Sequence, residues 1–105
     1  MQTIHKNQGS KIDYIINDQE LILGNELSLN LTQYEKDFPV HLDICSNKNG
    51  FLTLMLGEKY VAQIDIGPRQ YIYPKPNDNE EEEPSKVALP FDISRVTLTL
   101  WRMED

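Results

Sequence analysis

The sequence predicts an all-β domain, a small antiparallel β-sandwich or partly open barrel of roughly seven or eight short strands with at most one helical turn. Three observations predict it. Between Val40 and Tyr73, three runs alternate apolar and polar residues at period two, the pattern of half-buried strands. Turn residues separate such runs at hairpin spacing, and no stretch sustains a helical period. The chain then closes on Val96-Thr97-Leu98-Thr99-Leu100-Trp101, a run rich in β-formers. At 105 residues it reads as a single domain spanning 1–105. A chain of that length buries roughly 60–70% of its unfolded surface without help from a disulfide or metal.

In chain order, residues 1–11 read as a polar N-terminal arm. Ile12, Tyr14 and Ile16 then recur at period two, and Asn17-Asp18-Gln19-Glu20 is a turn cluster. Leu21-Ile22-Leu23 follows, ending at Gly24-Asn25, and Leu27-Ser28-Leu29-Asn30-Leu31 alternates strongly. Thr32 with Glu35 three residues on reads as a capping box, giving one helical turn over Gln33 to Asp37 before Pro39 stops it.

Two apolar runs come next, Val40-His41-Leu42-Asp43-Ile44-Cys45 and Phe51-Leu52-Thr53-Leu54-Met55-Leu56. A two-residue Asn49-Gly50 loop between them would throw their apolar rows onto opposite faces. A type I turn over Asn47-Lys48-Asn49-Gly50, with Gly50 as left-handed bulge residue, restores the match. It pairs Ile44 with Leu54 and Leu42 with Leu56. By the same parity a Gly57-Glu58-Lys59 loop pairs Leu56 with Tyr60 and Leu54 with Ala62, within the row Tyr60, Ala62, Ile64, Ile66. Gly67-Pro68-Arg69-Gln70 reads as another turn, leading into Gln70 to Tyr73. The faces of Tyr71 and Tyr73 depend on its length. Pro74 to Pro90, with four prolines and an acidic run, is expected to be a mobile surface loop with almost nothing to bury. The expected core is Leu42, Ile44, Leu52, Leu54, Ile64, Leu98 and Leu100.

The charge and the cysteine count bound the partners. The net charge is −7, and the ten Lys and Arg residues are scattered singly, whereas phosphate binding needs them clustered. Direct contact with nucleic acid or an anionic membrane is therefore not expected. The single cysteine, Cys45, excludes an intramolecular disulfide and fits a reducing compartment. The first residues lack an apolar leader core and no run reaches membrane-span length, so a cytoplasmic home is expected. On that reading the sequon Asn30-Leu31-Thr32 is a chance match.

His41, Asp43 and Cys45 are the nearest thing to a chemical site. Alternate strand residues point the same way but stand ~6.6 Å apart, so His41 and Cys45 are separated by ~13 Å. A nucleophile and base need hydrogen-bond contact, and zinc needs ligands converging at ~2.0–2.3 Å. The acidic residues Asp78, Glu80, Glu81, Glu82 and Glu83 lack the spacing that wraps a chain around calcium. They read as a solvated loop that steers a basic partner at long range. No catalytic, metal or cofactor set is expected.

Arg69, Tyr71, Tyr73 and Trp101 are of the types enriched in interface hot spots. Trp101 is expected to face outward with Thr97 and Thr99 if Leu98 and Leu100 face the core. Met55, Val61 and Phe51 are expected on the outward face beside Asp and Gln, a mixed face more readily half covered by the arm or the acidic loop than left as a contact surface, the role an exposed apolar patch would otherwise mark. The expected function is a small intracellular, non-catalytic structural or protein-binding domain of the assembly or accessory-subunit type. Association, with a protein partner or with itself, would use a sheet edge, notably that of Val96 to Trp101, or the aromatic/Arg surface. The alternatives are a small-ligand-binding barrel, and an acidic inhibitor occupying another protein's nucleic-acid-binding site.

Overall fold

Alternating runs become strands along most of the chain. The computed structural model describes residues 1–73 and 86–103. Among these residues ten strands follow in order: β1 (Gln2–His5), β2 (Tyr14–Asn17), β3 (Glu20–Leu23), β4 (Leu27–Asn30), β5 (Val40–Ser46), β6 (Leu52–Thr53), β7 (Lys59–Ile66), β8 (Tyr71–Ile72), β9 (Val87–Ala88) and β10 (Val96–Leu100). The helical segments are short 3-10 turns at Leu31–Tyr34 and Ile93–Arg95. The strands build three open sheets: a five-stranded one in the order β1-β10-β7-β5-β6, a three-stranded one, β2-β3-β4, and the β8-β9 pair. The all-β class expected from the sequence is the observed one. Two short strands beyond the expected eight, β1 and β9, make up the difference.

The two larger sheets share one core. Leu21, Leu23 and Leu29 of the three-stranded sheet pack in one cluster with Ile44, Ile64, Ile66, Val96, Leu98 and Leu100 of the five-stranded sheet. Each sheet buries its apolar face against the other, the two-layer solution open to a half-apolar sheet. Tight hairpins hold the smaller sheet in register. At Gly24 and Asn25 φ is +58° and +53°, and the Glu26 N–H donates to the Leu23 carbonyl at 3.0 Å. Two consecutive left-handed residues make the primed turn that matches strand twist.

Between β5 and β6 the bulged turn forms as expected. Gly50 has φ +83°, and its N–H donates to the Asn47 carbonyl at 2.9 Å. Cys45 faces Thr53 and Ser46 faces Leu52, which is the expected register. The pairing then stops, so Ile44–Leu54 and Leu42–Leu56 do not form. Nor does β6 pair with β7: β7 lies on the opposite side of β5, with Leu42 facing Ile64 and Val40 facing Ile66. The expected Leu56–Tyr60 and Leu54–Ala62 pairs are therefore corrected as well. With β5 in the middle, β7 buries Ala62, Ile64 and Ile66 between β5 and β10. A meander through the two-residue β6 would have left β5 with one unpaired edge.

This order forces residues 54–58 to cross β5 on their way from β6 to β7. A Cβ added to Gly57 would lie 2.7 Å from the Ser46 carbonyl oxygen and 3.1 Å from the Cys45 Cβ, so the crossover runs close against β5 there. Cys45 is consequently buried at 1% although Ile44, its neighbour on the opposite face, is the core residue. Leu54, expected in the core, is 42% exposed. Ile44, Ile64, Leu98 and Leu100 are buried, and Leu42 and Leu52 are partly buried against them. One register shift interrupts β7: Ile44 faces Ala62 while Cys45 faces Tyr60, leaving Val61 as the extra residue. Val61 is buried at 4% and Tyr60 is exposed, which corrects the expected outward Val61 and inward Tyr60. A bulge turns one extra side chain to the same side as its neighbour.

Four further expectations change. The polar arm contributes β1, which pairs in parallel with β10 and occupies the edge that Val96 to Leu100 would otherwise expose. Among the described residues the outermost strands of the large sheet are β1 and β6. The turn after β4 is capped by Asn30, whose side-chain oxygen accepts from the Thr32 N–H at 3.2 Å, and Glu35 turns inward instead of back. Gly67 to Gln70 is a connector held from outside, with the Arg69 N–H donating to the Lys36 carbonyl. The acidic residues Asp78 and Glu80 to Glu83 lie outside the described residues, while β9 falls inside the stretch expected to be loop.

Candidate interaction surface

The outer face of the five-stranded sheet, away from the core, carries two rows of side chains set by strand parity. At the end where the crossover lies, the row is apolar and aromatic. Trp101, just beyond β10, stacks on Tyr60 of β7 with ring centroids 5.2 Å apart and planes inclined by 25°. The Lys6 ammonium lies 5.7 Å from the Trp101 ring centroid, placed for a cation–π contact. Next in sheet order comes Cys45 under the crossover, and then Phe51, ahead of β6. Phe51 is 61% exposed, Met55 70% and Leu56 71%, with Leu54 beside them. No charged residue interrupts the sequence from Phe51 to Leu56.

The adjoining row is polar and continuous. His41 and Asp65 are direct cross-strand neighbours, as are Asp43 and Gln63. The His41 Nδ1 lies 2.6 Å from Asp65 Oδ1, and its Nε2 lies 2.8 Å from Asp43 Oδ1. Gln63 Nε2 donates to Asp43 Oδ1 at 2.9 Å, and Trp101 Nε1–H donates to Gln63 Oε1 at 2.9 Å. The hydrogen bonds to Asp65 and then Asp43 raise the His41 pKa above its ordinary value. Asp43 is lowered, first by the Gln63 amide and then by His41. The row is a cross-strand ladder of the kind that stabilises a sheet face. Chemically, His41 is enclosed between carboxylates and Cys45 sits apart under the crossover.

Arg69 and Tyr71 are half-buried and engaged by the segment before β5. Glu35, 6% exposed, accepts from Arg95 Nη2 at 2.8 Å and lies 3.5 Å from Arg69 Nε. Arg69 also donates to the Glu35 carbonyl and to Asp37, and the Tyr71 hydroxyl donates to the same Asp37 oxygen. The Tyr71 hydroxyl, followed by the charges of Arg69 and Lys86, holds the Asp37 carboxyl below its usual range. This cluster ties β8 to the segment before β5. Tyr73, 68% exposed, lies beyond it. Of the six residues singled out from the sequence, Trp101 lies on the outer face and Met55 on the exposed crossover; Val61 is in the core and Arg69 and Tyr71 belong to the Glu35–Asp37 cluster.

Sequence reasoning missed Tyr60, Leu54 and Leu56 as surface residues. The available signal was Leu54-Met55-Leu56, three consecutive large apolar residues that break the alternation an edge strand needs. A groove of about 550 Å³ opens at the same end of the molecule, lined by Ile12, Glu26, Leu52, Tyr60 and Met103 among others. Among the described residues no three His, Cys, Asp or Glu side chains are grouped to hold a metal ion, and no helix is long and apolar enough to cross a membrane. Comparison with known proteins finds no matching family model, no matching curated protein and no matching solved structure.

Proposed function

We propose that this chain is a small, non-catalytic protein-binding domain, an accessory or assembly subunit working in the cytoplasm, and that it docks through the outer face of its five-stranded sheet. The observation that carries this reading is the band formed by Trp101, Tyr60, the crossover and Phe51. Large apolar side chains exposed together, here with no charged residue from Phe51 to Leu56 and Lys6 over the half-buried Trp101 ring, are the usual mark of a contact surface. The partner that fits is a protein with an apolar contact centre and a basic rim. Asp43, Asp65 and Glu58 adjoin the band, and the whole chain carries −7.

The open sheets and the leucine-filled space between them weigh against a ligand-holding barrel. His41 and Cys45 lack the mutual contact that covalent catalysis requires. The test is a photo-crosslinking residue placed at Met55 and, as control, at Ser94, in protein returned to its source cell. A discrete heterologous adduct at position 55 that is absent at 94, and is lost on Trp101→Ala, is expected. Equal adducts at the two sites, or an adduct indifferent to Trp101→Ala, would overturn the proposal.

A further inference from the structure

We propose that His41 is a proton-operated latch on the Trp101 end of this face, holding the indole in place through Asp43 and Gln63 when protonated and releasing it when neutral. An imidazole carries a hydrogen on both ring nitrogens only as the imidazolium. Both His41 nitrogens face carboxylate oxygens here, at 2.6 and 2.8 Å, so the observed arrangement is that of the charged ring. Removing one proton sets a nitrogen lone pair against a carboxylate. The shorter Asp65 contact keeps the remaining proton, and the Asp43 contact opens.

Asp43 is the hinge of the latch because one of its oxygens serves two neighbours. The Oδ1 that meets His41 also accepts from Gln63. The Gln63 amide has distinct donor and acceptor ends, and its acceptor end receives Trp101 Nε1–H. Asp43 released from His41 is held on this face by Gln63 alone; as its carboxylate turns toward water it draws the amide donor with it, and the indole loses its fixed acceptor.

Among the described residues few other charges surround His41. From β7 His41 meets Asp65 and from its own strand Asp43; β10 presents Thr97 beside Asp65, with Arg95 in the adjoining cleft engaged by Glu35. β6 ends opposite Cys45 and does not reach it. The sign follows from the shifts. His41 is raised, so its stabilising contacts are complete below the ordinary histidine value near ~6.5 and are lost as pH rises through the higher folded value. Asp43 is lowered and stays charged throughout that range.

The consequence for docking rests on the function proposed above; the coupling of His41 to Trp101 does not. Trp101 is the single tryptophan and His41 one of two histidines, which makes the test direct. Tryptophan emission of the full chain is recorded from about pH 5 to 9, below the range where Lys and Tyr titrate. A sigmoidal emission shift with its midpoint above ~6.5 is expected in wild type and in His5→Asn. It should vanish in His41→Leu. In Gln63→Ala the emission should be flat while the His41 ring still titrates by NMR.

Flat wild-type emission, a curve that survives His41→Leu, or one unaffected by Gln63→Ala would overturn the latch. The Met55 crosslink is then compared at pH 6 and pH 9. An adduct weakened several-fold at pH 9 in wild type but not in His41→Leu extends the latch to docking. An emission shift without an adduct at either pH leaves the latch standing and removes the docking face.

Discussion

At Gly57 and Gly50 the same residue type answers two different demands. A Cβ at Gly57 would lie 2.7 Å from a β5 carbonyl oxygen, in backbone that cannot swing aside, whereas a Cβ at Gly50 meets nothing within 4 Å. Gly50 is needed for its φ of +83° and Gly57 for the close approach of the crossover. Alanine should destabilise at either position, by about 1–2 kcal/mol at Gly50 from left-handed strain. At Gly57 it should cost roughly 1–3 kcal/mol from overpacking. Urea unfolding checks both values, and two further observations separate the causes. Asparagine, which tolerates the left-handed region, should recover much of the loss at Gly50 and none at Gly57. Gly57→Ala should also quicken alkylation of Cys45, which the crossover covers; an unchanged rate would contradict that placement.

The elements were legible where alternation and turn chemistry agreed, and illegible where pairing partners had to be chosen. Gly50 and the parity of Ile44 with Leu54 gave the bulged turn and its register correctly. Parity also placed Ile44, Ile64, Leu98 and Leu100 inside and Trp101 outside. What parity cannot choose is which strand lies beside which, because β6 and β7 both run antiparallel to β5 and both satisfy it. The long β7, buried between β5 and β10, won that place from a two-residue β6, and the residues after Thr53 became a crossover. The arm was misread for a related reason. Gln2-Thr3-Ile4-His5 carries little strand signal of its own and pairs because β10 offers an edge. The two leucines expected to be equivalent therefore part company. Leu98→Ala should cost about 2–5 kcal/mol as a buried truncation. Leu54→Ala, on the exposed crossover, should fall within roughly 0.5 kcal/mol of wild type. Thermal or urea melts of the pair check this, and a large loss at Leu54 would return it to the core.

On the scale of the whole molecule, the sandwich separates a face that holds the fold together from one that is left available. The inner faces gather the leucines and isoleucines of both sheets, and the outer face of the large sheet keeps the band of Trp101, Tyr60, Met55, Leu56 and Phe51 beside the His41 ladder. Hot-spot residue types alone point to Arg69 and Tyr71 as readily as to Trp101, and parity alone puts Val61 on the outward face. Composition does not reveal that Glu35 and Asp37 would engage Arg69, or that a bulge would bury Val61. Asp78 and Glu80 to Glu83 carry five of the seven excess negative charges, a long-range attraction that suits a basic partner but does not set where it binds. Where it binds is decided most directly by hydroxyl-radical footprinting of the methionines, purified chain against the complex isolated from its source cell. Met55 is 70% exposed and Met103 43% exposed, so both should oxidise readily in the purified chain. Docking on the outer face predicts that Met55 becomes protected several-fold in the complex while Met103 keeps its rate. Equal oxidation of Met55 in both samples would contradict it.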